Sequence, residues 1–180
     1  MKKLFYLLFV LIVAASCSSV KVSSDYDKSA GFSSYKTYAF TEEAMSLPVD
    51  DLNKNRILNA VSNELAAKGF TKSDNPDVLI SINIKTKTQQ TATATNTGGY
   101  RGYGYGYRYG WGGGFSTTTI NYDTYTDGTL FIDMIDAAKK QLVWQGRGTK
   151  TIDENANAKK REENLNYAVK LIMATYPPKL

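Results

Sequence analysis

Apolar residues recur along this 180-residue chain at two spacings, and each change of spacing marks a change of element. Ile57, Leu58, Val61 and Leu65 fall on one face at the period of an α-helix. Asp50 and Asp51 open that pattern, placing acids where a helix N-terminus favours them. Gly69 follows Lys68 as a C-terminal cap, and Phe70 can close over the last turn. A second helical stripe runs through Leu165, Ala168, Val169, Ile172, Met173 and Tyr176. Pro177 and Pro178 end it, because proline lacks the amide donor a helix needs.

Between the helices the period shortens to two. Val78, Ile80, Ile82 and Ile84 alternate with Ser81, Asn83 and Lys85 behind an Asn75-Pro76-Asp77 turn, predicting a strand with one dry and one wet face. Polar alternation continues through Thr86 to Thr95 as a projecting arm, and Ser116 to Tyr125 returns from a Gly-rich tip. Asp127-Gly128 signals a turn before a largely buried strand from Thr129 to Ile135. Asp136 to Lys140 turns again into a last strand from Gln141 to Thr149, and Tyr35 to Phe40 has the composition of a first one. The order β-α-β-β-β-β-α predicts an α+β fold: a two-layer sandwich of a mainly antiparallel sheet of about five strands, with two helices packed on one face. It occupies residues 33–178, with a Gly/Tyr-rich insertion at 96–115.

The N-terminus has a different pattern. Lys2 and Lys3 precede an unbroken apolar run from Leu4 to Val13, then Ala14-Ala15-Ser16 and the chain's single cysteine, Cys17. Residues 1–16 read as a signal peptide, and a cysteine directly after such a cleavage site is the acceptor for bacterial lipidation. A membrane-spanning helix needs about 20 apolar residues, more than this run supplies. An ordinary secretory signal would leave Cys17 a lone free thiol. Ala14 departs from the commoner Leu, Val or Ile of a lipobox. Acyl chains contribute roughly 0.8 kcal/mol per buried methylene, so more than one on Cys17 anchors the protein to a membrane. Residues 17–32 then read as a solvated tether, Ser18 to Ser24 being rich in serine.

Composition removes several kinds of chemistry. Losing residues 1–16 removes two lysines and no acid, so the net charge falls from +5 to +3, with 20 basic against 17 acidic residues. Nothing in that balance favours a nucleic-acid partner. The absence of histidine excludes His-ligated zinc sites, Ser-His-Asp hydrolysis and Cys-His catalysis in their usual forms. Among the acids, Asp127 and Asp136 read as turn residues, while Asp133, in an otherwise apolar strand, is placed to sit beside Arg147 on the neighbouring strand. Gly146-Arg147-Gly148 lacks the helix start that a phosphate-cradling loop requires. The expectation is a non-enzymatic protein with no catalytic residue, metal or cofactor.

The remaining candidate lies in the Gly-rich tip. If residues 98–114 are extended, their period of two places Tyr103, Tyr105, Tyr107, Tyr109 and Trp111 on one face. Such a row suits contact with an envelope protein, a glycan or a lipid headgroup layer, since each ring joins a broad apolar surface to a polar handle. A flexible hairpin tip fits the same residues, because glycine costs the most backbone entropy to order.

Ser34-Tyr35-Lys36-Thr37-Tyr38-Ala39-Phe40 after a lipobox resembles the opening of the bacterial lipoproteins grouped as domain of unknown function 4136 (DUF4136). Leu65-Ala66-Ala67-Lys68-Gly69-Phe70 followed by Asp77-Val78-Leu79-Ile80 is similar to that family's helix and second strand. Gly128 to Asp133, Leu142-Val143-Trp144-Gln145-Gly146 and Tyr176-Pro177-Pro178 resemble its C-terminal half. The resemblance implies a cell-envelope lipoprotein without an assigned catalytic residue; Asp133 and Trp144 are motif positions only. Ser18 after Cys17 resembles lipoproteins sorted to the outer membrane, and the lack of acids before Asp25 resembles those that face the periplasm.

Overall fold

The structure is a computed structural model, described over residues 20–97 and 117–178. Nine elements follow in order: β1 (Lys21–Tyr26), β2 (Thr37–Phe40), α1 (Glu42–Met45), α2 (Asp51–Ala67), β3 (Thr71–Lys72), β4 (Val78–Thr97), β5 (Thr117–Asp136), β6 (Gln141–Thr151) and α3 (Ala158–Met173). The strands form one sheet in the order β1-β6-β5-β4-β2-β3. β2 runs parallel to β3 and β4, and the remaining pairs are antiparallel, so the fold is α+β with an open mixed sheet.

Helix ends form where local chemistry satisfies them. The Asp50 side chain accepts the Asn53 amide at 3.0 Å, capping α2. At its other end Phe70 N–H reaches the Leu65 carbonyl and Gly69 N–H that of Ala66, with Gly69 at φ 85. This pair of bonds is a Schellman turn, and it drives Phe70 into the core. Asn157 caps α3 through the Lys160 amide at 2.9 Å. No helix among the described residues is long and apolar enough to cross a membrane.

One face of the sheet carries Val78, Ile80, Ile82, Ile132, Met134 and Trp144, all buried, and packs with Val61, Leu65, Val169, Ile172 and Met173 of α2 and α3. Burying each such side chain contributes on the order of 2 kcal/mol. Gly146 and Gly148 of β6 lie beneath Ile172, whose side-chain atoms stand 2.6 and 2.8 Å from where their Cβ atoms would be. The absence of a side chain at these two positions is what brings α3 down onto the sheet.

Three expectations change. Residues 21–26, read as tether, form β1, an edge strand paired with β6 from Lys21↔Thr149 to Tyr26↔Trp144. Val20, Ala30 and Phe32 are buried beside it. The Asp127-Gly128 turn does not form, and β5 runs unbroken through it because Asp127 and Gly128 pair with β4 on one side and β6 on the other. Asp133 does not meet Arg147 but stands opposite Gln145, while Arg147 Nε donates to the Ser23 hydroxyl at 2.5 Å.

Candidate functional site

The projecting arm is the least ordinary part of the fold. β4 and β5 pair continuously from Val78↔Asp136 to Thr97↔Thr117. β2 covers β4 only from Val78 to Ile80, and β6 ends opposite Asp127 at Thr151. Beyond that point ten residue pairs, Thr88↔Thr126 to Thr97↔Thr117, form a ribbon of two strands, and among the described residues no further strand pairs with either outer edge. At about 3.4 Å per residue it extends about 34 Å past the body of the sheet.

The register makes this ribbon two-sided. Ala92 faces Tyr122 and Ala94 faces Ile120, on the same side as Ile80, Ile82 and Ile84. Thr91 faces Asp123, Thr93 faces Asn121 and Thr95 faces Thr119 on the other side. These four side chains lie on the core face beyond an intervening polar stretch of Thr86, Thr88, Gln90, Thr124 and Thr126, and among the described residues they stand uncovered: Tyr122 is 63% and Ile120 52% exposed.

At the base of the ribbon a cavity of about 460 Å³ opens between sheet and helices. Ile84, Leu130, Ile57 and Leu165 make it apolar, while Lys150, Arg161, Asp153 and Glu154 mark its rim. Lys150 Nζ donates to Asn164 Oδ1 at 2.9 Å and Arg161 donates to the Glu154 carbonyl at 3.1 Å, so both rim cations are already engaged. Ile152 reaches over Gly128, where a Cβ would lie 3.1 Å from its terminal methyl. Val20 also lines the cavity, and β1 runs antiparallel to β6, so Val20 lies at the end of the sheet that bears the ribbon.

The opposite end of the sheet carries the structural carboxylates. Asp136 accepts the Tyr35 hydroxyl at 2.9 Å and the Ala138 and Lys139 amides at 3.0 and 2.8 Å. The Lys139 amide, then the Tyr35 hydroxyl, holds its pKa below the ordinary value. Asp77 accepts the Lys36 and Thr37 amides, each at 2.8 Å, and these lower it likewise. Burial, followed by the bond to Asp136, pushes Tyr35 up to about 12. Carboxylates held ionised in this way fasten the loops that join β2, β4 and β5, and neither is poised to carry a proton near neutrality.

Asp133 is half-buried and accepts Gln145 Nε2 at 2.8 Å; burial raises its pKa, and the Gln145 bond opposes that rise. No second acid faces it in the register, where Ser81 and Gln145 are its neighbours. Trp144 is fully buried, edge-on to Tyr176 at 5.5 Å, and serves the core. Among the described residues no group of three Asp, Glu, Cys or His could hold a metal ion. Cys17, Tyr103, Tyr105, Tyr107, Tyr109 and Trp111 lie outside the described residues. The cavity had no counterpart in the sequence reading, because its lining comes from segments spread between Val20 and Ala168. The open edges did have a signal: the unbroken Thr/Ala alternation from Thr91 to Thr95.

The fold is similar to those of several solved structures. A PDZ domain protein from Parabacteroides distasonis superposes with a TM-score of 0.55 at 17% identity, over 89% of this chain and 36% of that one. This chain thus spans little more than a third of that protein's length. PelC from Paraburkholderia phytofirmans, solved as a dodecamer, superposes with a TM-score of 0.50 at 11% identity, over 90% of this chain and 100% of that one. No curated protein matches the sequence. The model of the domain of unknown function DUF4136 matches residues 22–178, nearly the whole described body with its ribbon, and the chain belongs to that family.

Proposed function

We propose that this chain is a lipid-anchored protein of the bacterial cell envelope with a non-catalytic binding role, and that the β4–β5 ribbon is its working surface. The observation that carries this reading is the ribbon itself. An isolated two-stranded ribbon is marginal in water, yet this one extends ten residue pairs beyond the sheet, with no strand on either edge among the described residues. Open edges accept a further strand through main-chain hydrogen bonds, which requires no pocket. Lipidation at Cys17 supplies the membrane attachment; Ser18 favours the outer membrane, and the lack of acids before Asp25 favours a body facing the periplasm.

Crosslinking in intact cells tests the reading. A variant in which Thr88–Thr126 is replaced by Asn-Gly, joining the opposed residues Lys87 and Asp127, should keep its lipid and lose the adducts that wild type forms. Adducts unchanged by trimming, or no more numerous than those of a generic lipoprotein, would overturn it.

A second reading is carbohydrate binding by Tyr103, Tyr105, Tyr107, Tyr109 and Trp111. It is favoured by their place in the sequence between the paired residues Thr97 and Thr117, at the far end of the ribbon. Sedimentation with purified sacculi separates the two: a glycan-binding tip loses pull-down when these five residues become alanine, and a strand-pairing ribbon gives none to begin with.

A further inference from the structure

We infer that the cavity at the base of the ribbon binds a free single-chain phospholipid with a zwitterionic head, a molecule of the lysophosphatidylethanolamine class. The site is separate from the edges of the ribbon and needs no strand bound there.

The wall fits an apolar body. Val61, Ile80 and Ile172 in the core are fully buried, whereas Val49, Ile84, Leu130 and Leu165 around the cavity are only partly so. Covering these four is favourable in proportion to the apolar area removed from water. The polar side chains of the wall are already satisfied by protein. Thr129 is hydrogen-bonded to Thr149 at 2.9 Å, Thr151 donates to Asp127 at 2.7 Å, and Asn53 donates to Asp50 and accepts from Arg56. A sugar, a nucleotide or a cluster of ordered water needs several convergent hydrogen bonds, and this wall offers few. The volume of about 460 Å³ lies within the range of small-molecule sites, roughly 300–1,000 Å³. At about 30 Å³ per water-sized group it holds about 15 such groups, which is one acyl chain and not two.

The rim fits a head that carries both charges. Lys150 is half-buried, while Asp153, Glu154 and Arg161 are exposed, so the lysine is the deepest-set of the four. Lys150 Nζ donates to Asn164 and Arg161 to the Glu154 carbonyl, both neutral acceptors, and each cation keeps further N–H donors. The ion pairs among the described residues are Lys54–Asp51 and Lys160–Glu163, so no carboxylate neutralises either rim cation. The Asp153 carboxylate accepts the Asn155 amide at 3.1 Å and is bonded to no cation. Two cations and two carboxylates thus border one opening without pairing to each other. A purely anionic head meets repulsion from the acids, and a purely cationic head meets it from Lys150 and Arg161. In a lysophosphatidylethanolamine the phosphate lies next to the acyl chain and the ammonium lies beyond it. Chain, phosphate and ammonium then meet the apolar wall, Lys150 and the exposed Asp153–Glu154 pair in turn.

Equilibrium binding to the full chain held in amphipol, with amphipol alone subtracted, provides the test. The probes are radiolabelled palmitoyl-lysophosphatidylethanolamine, palmitate and glycerophosphoethanolamine, each below the concentration at which it forms micelles. The lysolipid should bind one per chain, palmitate about fivefold more weakly, and the chainless head not measurably. Val49→Trp and Ala168→Phe each put bulk into the cavity and should weaken the lysolipid about tenfold or more. Either variant that keeps the wild-type near-ultraviolet circular dichroism suffices. Asp153→Asn combined with Glu154→Gln, both on exposed residues, should weaken the lysolipid about fivefold and strengthen palmitate. A general loosening of the rim moves both ligands the same way, so that result would overturn the inference. Lysolipid binding that a folded filling variant leaves unchanged would do so too, as would palmitate binding as tightly as the lysolipid. Uptake of diacyl phosphatidylethanolamine from vesicles as readily as lysolipid would assign the contact to a bilayer instead. Binding that appears only after Cys17→Ala would make the chain's own N-terminal segment the occupant, and each of these last two results overturns the inference.

Discussion

Gly146 shows how closely α3 is seated. A methyl there would press into the Trp144 ring and come within 2.6 Å of Ile172 Cγ2. Gly146→Ala should lower stability by about 1–3 kcal/mol, the usual cost of overpacking, read as a reduced urea midpoint with an unchanged slope. The carboxylates make a prediction of mixed sign. Asp136 and Asp77 are held below their ordinary value of 3.8, so their stabilisation is complete above that pH and is lost as pH falls through their lower folded values. Asp133 is raised, so its ionised form opposes folding at neutral pH, and the penalty disappears as pH falls through the raised value. Asp136→Asn should therefore unfold at lower urea than wild type near about pH 7, with the deficit shrinking near about pH 3. Asp133→Asn should match or exceed wild type at neutral pH and lose that advantage in acid; an advantage that grows on acidification would contradict the assignment. That Asp136 would be a turn residue was legible, since Asp bonds its own following amides. Its Tyr35 partner, 101 residues away, was not.

At the scale of elements, the parts legible in the sequence are those whose signals are local. α2 forms between Asp50 and Gly69 as its caps predict. A Cβ on Gly69 would touch nothing within 4 Å, so Gly69→Ala tests backbone conformation alone: it should cost about 1 kcal/mol, measurable by thermal or urea unfolding. β4 ran on into an arm as its polar alternation suggested. β1 was missed because Lys21-Val22-Ser23-Ser24 carries almost no apolar signal, and its pairing partner begins 120 residues later. The turn at Asp127-Gly128 was misread for a related reason. Both neighbours hold the strand straight: Asp127 accepts Gln89 Nε2 at 2.8 Å and the Thr151 hydroxyl at 2.7 Å. Two cross-strand bonds and a continuous ladder outweigh a local turn preference.

Across the whole molecule, the described residues of the ribbon include no buried side chain, and the core lies wholly in the body. Trimming Thr88–Thr126 to an Asn-Gly turn should thus leave the stability of the body within about 0.5 kcal/mol, as for changes away from buried groups. A larger loss would mean that the ribbon supports the fold, not only a partner. The cavity, the ribbon and Val20 share one end of the sheet, while the Tyr35–Asp136 bond and the Asp77 latch close the other. The sequence by itself determined the two long helices α2 and α3 but not the four-residue α1, along with the alternating core strand, the α+β class and the family, because capping, periodicity and motif are properties of neighbouring residues. Only the tertiary structure decided that Ser-rich residues near the N-terminus complete the sheet, that β5 passes straight through a turn signal, and that no other described strand flanks the arm. Each of these depends on which distant strand lies alongside, and a hydrogen-bonded edge has no meaning until its neighbour is in place.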